Sequence, residues 1–513
     1  MIKSIGNMKD FELVEYIRGG ATFVQCAEPS RAFVTGVKKY FSRGINYLVI
    51  YFSGDTLYWY YEKKDLYKEG KIVANKLLSS KSFENRFFKV LDKKTKEILD
   101  FIKKNNSAEI RIINNSSVAK VYEKYSKMLF DWYSLTMTID GTDEFLMVEV
   151  TERIKKPLKD KLNKAYSEKE FLRVYNILTI SGYLSYLNDE KRLILELMED
   201  VDEKKITEKS DKFNKRIGEI VKRFWWAELG WKKSKGRDDK DIIKIYDGFR
   251  KIKLDPNTEL KKMDEYVEKT SYQKNQINKE YPFLKKDKKL LKFLELSNKL
   301  VKYHDIRKEV QMKGNYWSYQ VFSEISKKIN IEEELLGWCE ASEVSDILNG
   351  KKFDRNELKN RSSNFIYIYQ NGKGLKLSGG DAKKKYEEIM GSMDQTTGDL
   401  QGLGASPGKV TGHAFVARTS QDALKIEAGQ ILVTGMTTPD FVPAMNKAVA
   451  IVTDEGGITC HAAIICRELK IPCIVGAKYA TRIIKTGDTI EVLANHGVVK
   501  ILKKKQIDTT SVN

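Results

Sequence analysis

Between residues 30 and 400 this chain carries only three prolines, Pro157, Pro256 and Pro282. Across most of that stretch apolar residues recur at intervals of three and four. SFENRFFKVLDKKTKEILDFI (82–102) and VYEKYSKMLFDWYSL (121–135) show the pattern. Such spacing places apolar side chains on one stripe of a helix, and internal proline would break helices of this length. The pattern runs from about Leu66 to Leu348 and predicts an antiparallel helical array. A chain of 513 residues is too long for one core, so about two to four domains are expected.

Both ends of the array change character. Ile45–Tyr51 and Thr56–Tyr61 are β-branched and aromatic runs around Ser53-Gly54-Asp55, which predicts a β-hairpin. FIYIY (365–369), Asn371-Gly372 and LKL (375–377) predict a second hairpin. Ser378-Gly379-Gly380-Asp381 then offers the start of a further helix. GSMDQTTGDLQG (391–402) is small, polar and without period, as a linker is. After it come short Val/Ile-rich strands, frequent glycine and brief helices. The expected division is a small α+β region with a hairpin at 1–80, a mainly helical body at 81–390, and a linker at 391–401. A compact C-terminal unit follows at 402–502, then a frayed tail at 503–513.

The formal net charge is +20, from 91 Lys+Arg against 71 Asp+Glu. Residues 402–502 hold 10 basic and 8 acidic residues, so the excess lies in the first 400 residues and the tail. The lysines are scattered through mixed helical runs such as KKDKKLLKF (285–293). They form no Arg-rich block and no aromatic RNA-binding motif, which argues against nucleic acid as a partner. No apolar run approaches the roughly 20 residues that cross a bilayer, and the N-terminus lacks a secretory h-region. A cytoplasmic location is therefore the default, with no membrane partner. Cys26, Cys339, Cys460, Cys466 and Cys473 are odd in number, and the last three have no zinc spacing. Reduced thiols and no metal site are expected.

Three of the four histidines, His413, His461 and His496, lie in the last hundred or so residues. His461 stands in AIVTDEGGITCHAAIICRELKIPCIVG (450–476). That stretch reads as a buried strand, a glycine turn at Gly456-Gly457, a helix with Thr459 placed as its cap, and a second strand. A side chain at this helix start faces unpartnered N–H groups and the positive end of the helix dipole, both of which favour a phosphoryl group. Imidazole is largely neutral near pH 7, and the N-terminal field lowers its basicity further, so it is a competent nucleophile. Arg467 can approach a phosphate on His461 or face a neighbouring carboxylate. Cys460 reads as packing, His413 and His496 as structural. GLGASPG (402–408) has neither dinucleotide nor P-loop spacing and leads into a strand-like segment, so it reads as a turn.

Four blocks in order carry a resemblance to a known family: GLGASPGKVTGHA (402–414), ILVTGMTTPDFVPAM (431–445), TDEGGITCHAAIICREL (453–469) and GDTIEVLANHGVVKIL (487–502). They resemble the phosphohistidine, or swivelling, domain of the PEP-utilising enzymes, and most of all the phosphoenolpyruvate synthase version. The resemblance implies a layered β/β/α unit, so the fold class expected for the whole is multidomain α+β. It implies that His461 accepts and passes on a phosphoryl group, and that Thr459 matches a position phosphorylated by a regulatory kinase in some members. It implies an ATP-grasp domain that loads the histidine from ATP with Mg²⁺. The helical body shows no Gly-rich strand turns of that kind, and no barrel is expected beyond the C-terminal unit, so a separate ATP-grasp protein is the expected partner.

The body resembles the region before the carrier domain in rifampin-phosphotransferase-like proteins, where helices bind the phosphoryl acceptor. HDIRKEVQMKGNYW (304–317) and RSSNFIYIYQNGKGLKLSGGDA (361–382) carry that likeness. An unknown small-molecule acceptor is expected there. Trp225, Trp226 and Trp231 in FWWAELGW could line its surface or be core at helical spacing. Two functions are open: a phosphotransferase or the carrier component of a split one, and a non-catalytic regulatory or docking protein that retains a carrier domain.

Overall fold

The structure is a computed structural model that describes residues 13–18, 20–41, 44–163, 166–227, 229–231, 235–370, 373–391, 400–418, 420–437, 441–454, 456, 460–477 and 480–504. Strands β1 (Leu13–Arg18), β2 (Tyr47–Ser53), β3 (Thr56–Glu62), β4 (Asn364–Gln370) and β5 (Lys373–Ser378) form one antiparallel sheet. Its order is β1-β3-β2-β4-β5. Both expected hairpins are present, and Gly54 takes the positive φ of 58° that its turn requires. The second turn, Asn371-Gly372, lies outside the described residues.

The two hairpins are one structure. β2 pairs with β4 along its whole length, from Tyr47 opposite Gln370 to Ser53 opposite Asn364. The sheet therefore crosses the boundary expected at residue 80 and joins the two ends of the helical body. Burial gives the reason: β2 is YLVIYFS, and every residue before Ser53 is buried. Leu48, Ile50 and Phe52 enter the main core, while Tyr47, Val49 and Tyr51 enter a second core under the helix Gly379–Gly391. A strand apolar on both faces belongs in the middle of a sheet, and a lone hairpin could cover neither face.

Helices fill the chain from Lys63 to Ser363, as the periodicity predicts. The longest, Lys288–Ile329, has 42 residues and spans roughly 60 Å. Trp132, Phe145, Phe293 and Phe322 are fully buried at the centre of the array. The helices Tyr186–Asp202, Asp211–Phe224 and Asp239–Lys251 close around a smaller core of their own, with Leu195, Phe213, Ile217 and Tyr246 inside. Among the described residues no helix is long and apolar enough to cross a membrane.

The C-terminal unit is strand-rich, in contrast to the body. Its strands are β6 (Leu400–Gln401), β7 (Leu403–Ser406), β8 (Lys409–Ala417), β9 (Ile431–Thr434), β10 (Ala450–Thr453), β11 (Cys473–Val475), β12 (Thr489–Leu493) and β13 (Val498–Lys503). They run in the order β6-β13-β12-β8-β9-β10-β11-β7. β8 belongs to two layers. Lys409–His413 pair antiparallel with β12, and Ala414–Ala417 pair parallel with β9. The linker expected at 391–401 is shorter at both ends. Gly391 still closes a helix, and Leu400 and Gln401 already pair with Val499 and Val498; residues 392–399 lie outside the described set. The expected tail begins one residue later, since Lys503 is the last residue of β13.

One contact in the body has no slack. A Cβ on Gly70 of helix Lys63–Ser79 would stand 1.7 Å from the carbonyl oxygen of Gly141 in helix Thr138–Leu162. The two backbones touch there, and a methyl group must force them apart. Gly70→Ala should cost about 3 kcal/mol by denaturant unfolding. Gly218→Ala, in a helix with open space around it, should be neutral or stabilise by up to about 1 kcal/mol. Equal behaviour of the two variants would contradict the contact.

Candidate functional site

Strand β10 is Ala-Ile-Val-Thr, buried at every residue, between parallel neighbours β9 and β11. Two parallel strands need a crossover, and the segment from Asp454 to Pro472 supplies it. Its helix is His461–Leu469, so His461 is the first helical residue, where the sequence places it. The N–H groups of the first turn have no acceptor inside the helix, and the helix dipole adds positive potential at that end. Ala462, Ala463 and Cys466 turn the buried side of the helix onto β7 and β11, and the Ser406 hydroxyl donates to the Cys466 carbonyl at 3.4 Å. Helix position and helix direction are thereby fixed by the sheet.

The turn before the helix is held at two points. Gly456 has φ 110°, a region closed to most side chains, and a Cβ there would meet Cys460 Sγ at 2.8 Å. Asp454 is buried directly after β10. Its Oδ1 accepts the backbone N–H of Thr481 at 3.0 Å, and the Thr481 hydroxyl donates to Oδ2. Gly457 and Thr459 lie outside the described residues. The extended residue that precedes the helix is Cys460, with φ −70° and ψ 163°. The capping position thus falls one residue later than the Thr459 expected from the sequence, because the chain stays extended through Cys460.

The Cys460 side chain lies against the backbone N–H groups of Ala463 and Ala462. Burial pushes its thiol up, while the nearby amides of Ala463 and Ala462 and the charge of Arg467 pull the other way and lose. Beside His461 there is thus a neutral thiol rather than a competing thiolate. Cys473 is raised first by its hydrogen bond with Cys466 and then by burial. All three are free thiols packed around the helix. Arg467 folds back along the helix, its Nε donating to the Ala463 carbonyl at 2.9 Å. Its charge is felt at Cys460, at Cys473 and at Tyr266 on the body helix Pro256–Glu280.

His413 is exposed on β8, with its Nδ1 3.5 Å from Thr489 Oγ1. His496 is exposed in the turn between β12 and β13, where its backbone N–H reaches the Leu493 carbonyl. Trp226 and Trp231 are buried. Trp226 Nε1 donates to the Arg223 carbonyl at 3.0 Å, and the Trp231 carbonyl accepts from Gln25 and Tyr319. Trp225 packs on Tyr316 with ring centres 4.9 Å apart. Trp226 and Trp231 are core, and Trp225 is half-buried against it. Sequence reasoning missed Asp454, whose one signal was an acidic residue directly after an apolar strand and before Gly-Gly.

Known proteins carry the same segment. Residues 426–497 match the PEP-utilising enzyme, mobile domain. A protein of Archaeoglobus fulgidus named "Probable phosphoenolpyruvate synthase" is 49% identical over 127 residues, 24% of this chain and 17% of the relative. One of the same name from Methanothermobacter thermautotrophicus is 52% identical over 100 residues, 20% of this chain and 15% of the relative. The "Phosphoenolpyruvate synthase" of Pyrococcus furiosus is 37% identical over 187 residues, 36% of this chain and 22% of the relative. That last match is longer than the mobile-domain segment together with the tail, so it reaches into the residues before it. This chain spans only about a fifth of the length of these curated relatives.

Two outcomes follow from this geometry. Gly456→Ala strains the turn of the mobile-domain segment and drives a methyl into Cys460, so it should cost about 1–3 kcal/mol in thermal unfolding. Gly435→Ala, with nothing within 4 Å, should stay within about 0.5 kcal/mol. Iodoacetamide near neutral pH should alkylate Cys460 more slowly than a free cysteine peptide, as read by mass spectrometry; faster reaction would contradict the buried neutral thiol.

Proposed function

We propose that the mobile-domain segment carries a phosphoryl group on His461 between two sites outside it. The observation that supports this best is the position of His461 as the first residue of a nine-residue helix, within a segment similar to the mobile domain of PEP-utilising enzymes. In the loading step a neutral imidazole nitrogen attacks the terminal phosphorus of the donor. An N–P bond forms, the P–O bond to the donor's leaving group breaks, and the electron pair leaves with that oxygen. The ring is then an imidazolium, and loss of the proton on its other nitrogen to solvent leaves it neutral; the same nitrogen takes a proton back, from the acceptor hydroxyl by way of solvent, on delivery. In the delivery step an acceptor oxygen takes the phosphoryl group, the N–P bond breaks, and the imidazole is regenerated.

The chain's own residues contribute positioning and charge, which is what phosphoryl transfer mainly asks for. The N–H groups at the start of the helix, which have no acceptor inside it, and the dipole behind them favour a dianion by about 0.3–2 kcal/mol. Gly456 keeps the turn compact enough for a phosphate to approach the backbone. To Arg467 we assign the supply of a formal positive charge. A carrier must travel, so it must part the contacts between the segment and the body, whose buried apolar residues belong to one core cluster. Arg418 Nη1 donates to Tyr58 Oη at 2.9 Å, a contact that swinging would break at little cost.

The donor we assign to a separate ATP-grasp protein that uses ATP and Mg²⁺, and the acceptor to the helical body. Both assignments rest on the resemblances in the sequence and on the body's helical make-up. The test is to incubate the protein with radiolabelled ATP or phosphoenolpyruvate, alone and with candidate ATP-grasp partners. Acid-labile, base-stable label should appear on the wild-type chain and be absent from His461→Ala. Label that persists in His461→Ala would sink the proposal.

A further inference from the structure

The fold gathers two lysine-rich runs at one end of the helical body. The helix Thr138–Leu162 ends beside the short helix Pro282–Lys286 and the start of the 42-residue helix Lys288–Ile329. Arg153 fixes the meeting point. Its Nη1 donates to Asp287 Oδ2 at 2.6 Å, and its guanidinium carbon lies 5.7 Å from the ring centre of Phe293. Leu158, Leu284 and Leu290 are buried beneath. Residues 153–163 and 282–293 together hold ten Lys and Arg against two Asp, which accounts for eight of the chain's twenty net positive charges.

Little at this end offsets that charge. Asp287 is engaged by Arg153 and, as the cap of the long helix, by the backbone N–H groups of Lys289 and Leu290 at 2.9 and 3.0 Å. Glu280 and Glu295, the acids on either side of the second run, pair with Arg173 and Lys81. Lys285, Lys286, Lys288, Lys289 and Lys292 are exposed. So are Lys156, Lys159 and Lys161 on the neighbouring helix end. None of these lysines is in an ion pair among the described residues.

Folding does not ask for this arrangement. The first turn of a helix favours Asp and Glu, because its N–H groups and dipole make that end positive. The first turn of Lys288–Ile329 holds no acid. It carries Lys288 and Lys289 instead, flanked by Lys285, Lys286 and Lys292. Lysines there oppose the dipole and repel one another within a screening length of about 8–10 Å. The charge is unfavourable within the chain and available to a partner outside it.

We propose that this end of the body is a docking surface for a partner protein with an acidic face. The partner's carboxylates supply the missing counter-charge and steer the encounter. Leu291, 40% exposed among the lysines, gives the patch an apolar point to bury. Its chemistry favours protein over nucleic acid. Phosphate recognition leans on Arg forks, and Arg153, the one arginine of the two runs, is committed to Asp287. Phe293 is buried and Phe283 half-buried, so neither ring stands out for a base to stack on. The surface does not depend on phosphoryl transfer, so its test is separate from that of the carrier.

Fluorescence anisotropy of the full chain with labelled poly-L-glutamate, and with an oligouridylate of equal charge, tests it at about 100 mM salt. Polyglutamate should bind saturably and at least as tightly as the oligouridylate. Lys288→Glu/Lys289→Glu should weaken that binding about tenfold. Its unfolding temperature should stay at or above that of the wild type, since carboxylates suit a helix N-terminus. Lys212→Glu/Lys215→Glu makes the same charge change at exposed positions of the helix Asp211–Phe224, and should stay within about twofold. If the first variant fails to fold, the milder Lys288→Gln/Lys292→Gln reads the same surface, with a loss of about threefold. No saturable binding of polyglutamate, tighter binding of the oligouridylate, or a loss from the patch variant no greater than that from Lys212→Glu/Lys215→Glu would each overturn the proposal.

Discussion

The first-turn N–H groups of the helix His461–Leu469, which have no acceptor inside the helix, are the constraint on which the C-terminal unit depends. Unpartnered amides are tolerable only at a helix end that faces solvent or an anion, so the chain must fix where that end points. It does so from three sides. β10, buried throughout between parallel neighbours, fixes the level at which the chain leaves the sheet. Gly456, at a φ that other residues resist, makes the turn tight. Asp454, pinned on the backbone and hydroxyl of Thr481, ties that turn to the next connection. The helix is then laid on the sheet through small side chains, Ala462, Ala463 and Cys466, which bring it close.

The helical body solves a different problem. Its ends are closed by a sheet made from chain segments on either side of it, so the body is stapled shut by β2–β4 pairing rather than by any loop. The helices can then keep polar groups inside, as at Glu28 and Asn315, because the surrounding apolar core carries the stability. The two parts meet at polar contacts such as Arg418 on Tyr58, and buried apolar residues of both belong to one core cluster.

What the sequence discloses follows from how local the signal is. The helices from Lys63 to Ser363 and the strands around Gly54 rest on periodicity and turn chemistry within a few residues, and both are legible. The position of His461 at a helix start is legible for the same reason: strand, glycines and an Ala-rich helix follow one another within the segment. The pairing of β2 with β4 is not local, and period alone cannot show that two hairpins separated by the whole body share a sheet. The shift of the cap from Thr459 to Cys460 turns on one residue's backbone angles, below the resolution of pattern reading.

The account's central claim is that the phosphoryl group resides on His461 rather than on a neighbour. Tandem mass spectrometry of the phosphorylated chain, digested and kept at alkaline pH, locates the phosphate within the peptide that contains Thr459, Cys460 and His461. The account predicts fragment ions that place it on His461 and lose it on brief acid treatment. Phosphate on Thr459 or Cys460, stable to acid, with His461 unmodified, would contradict it.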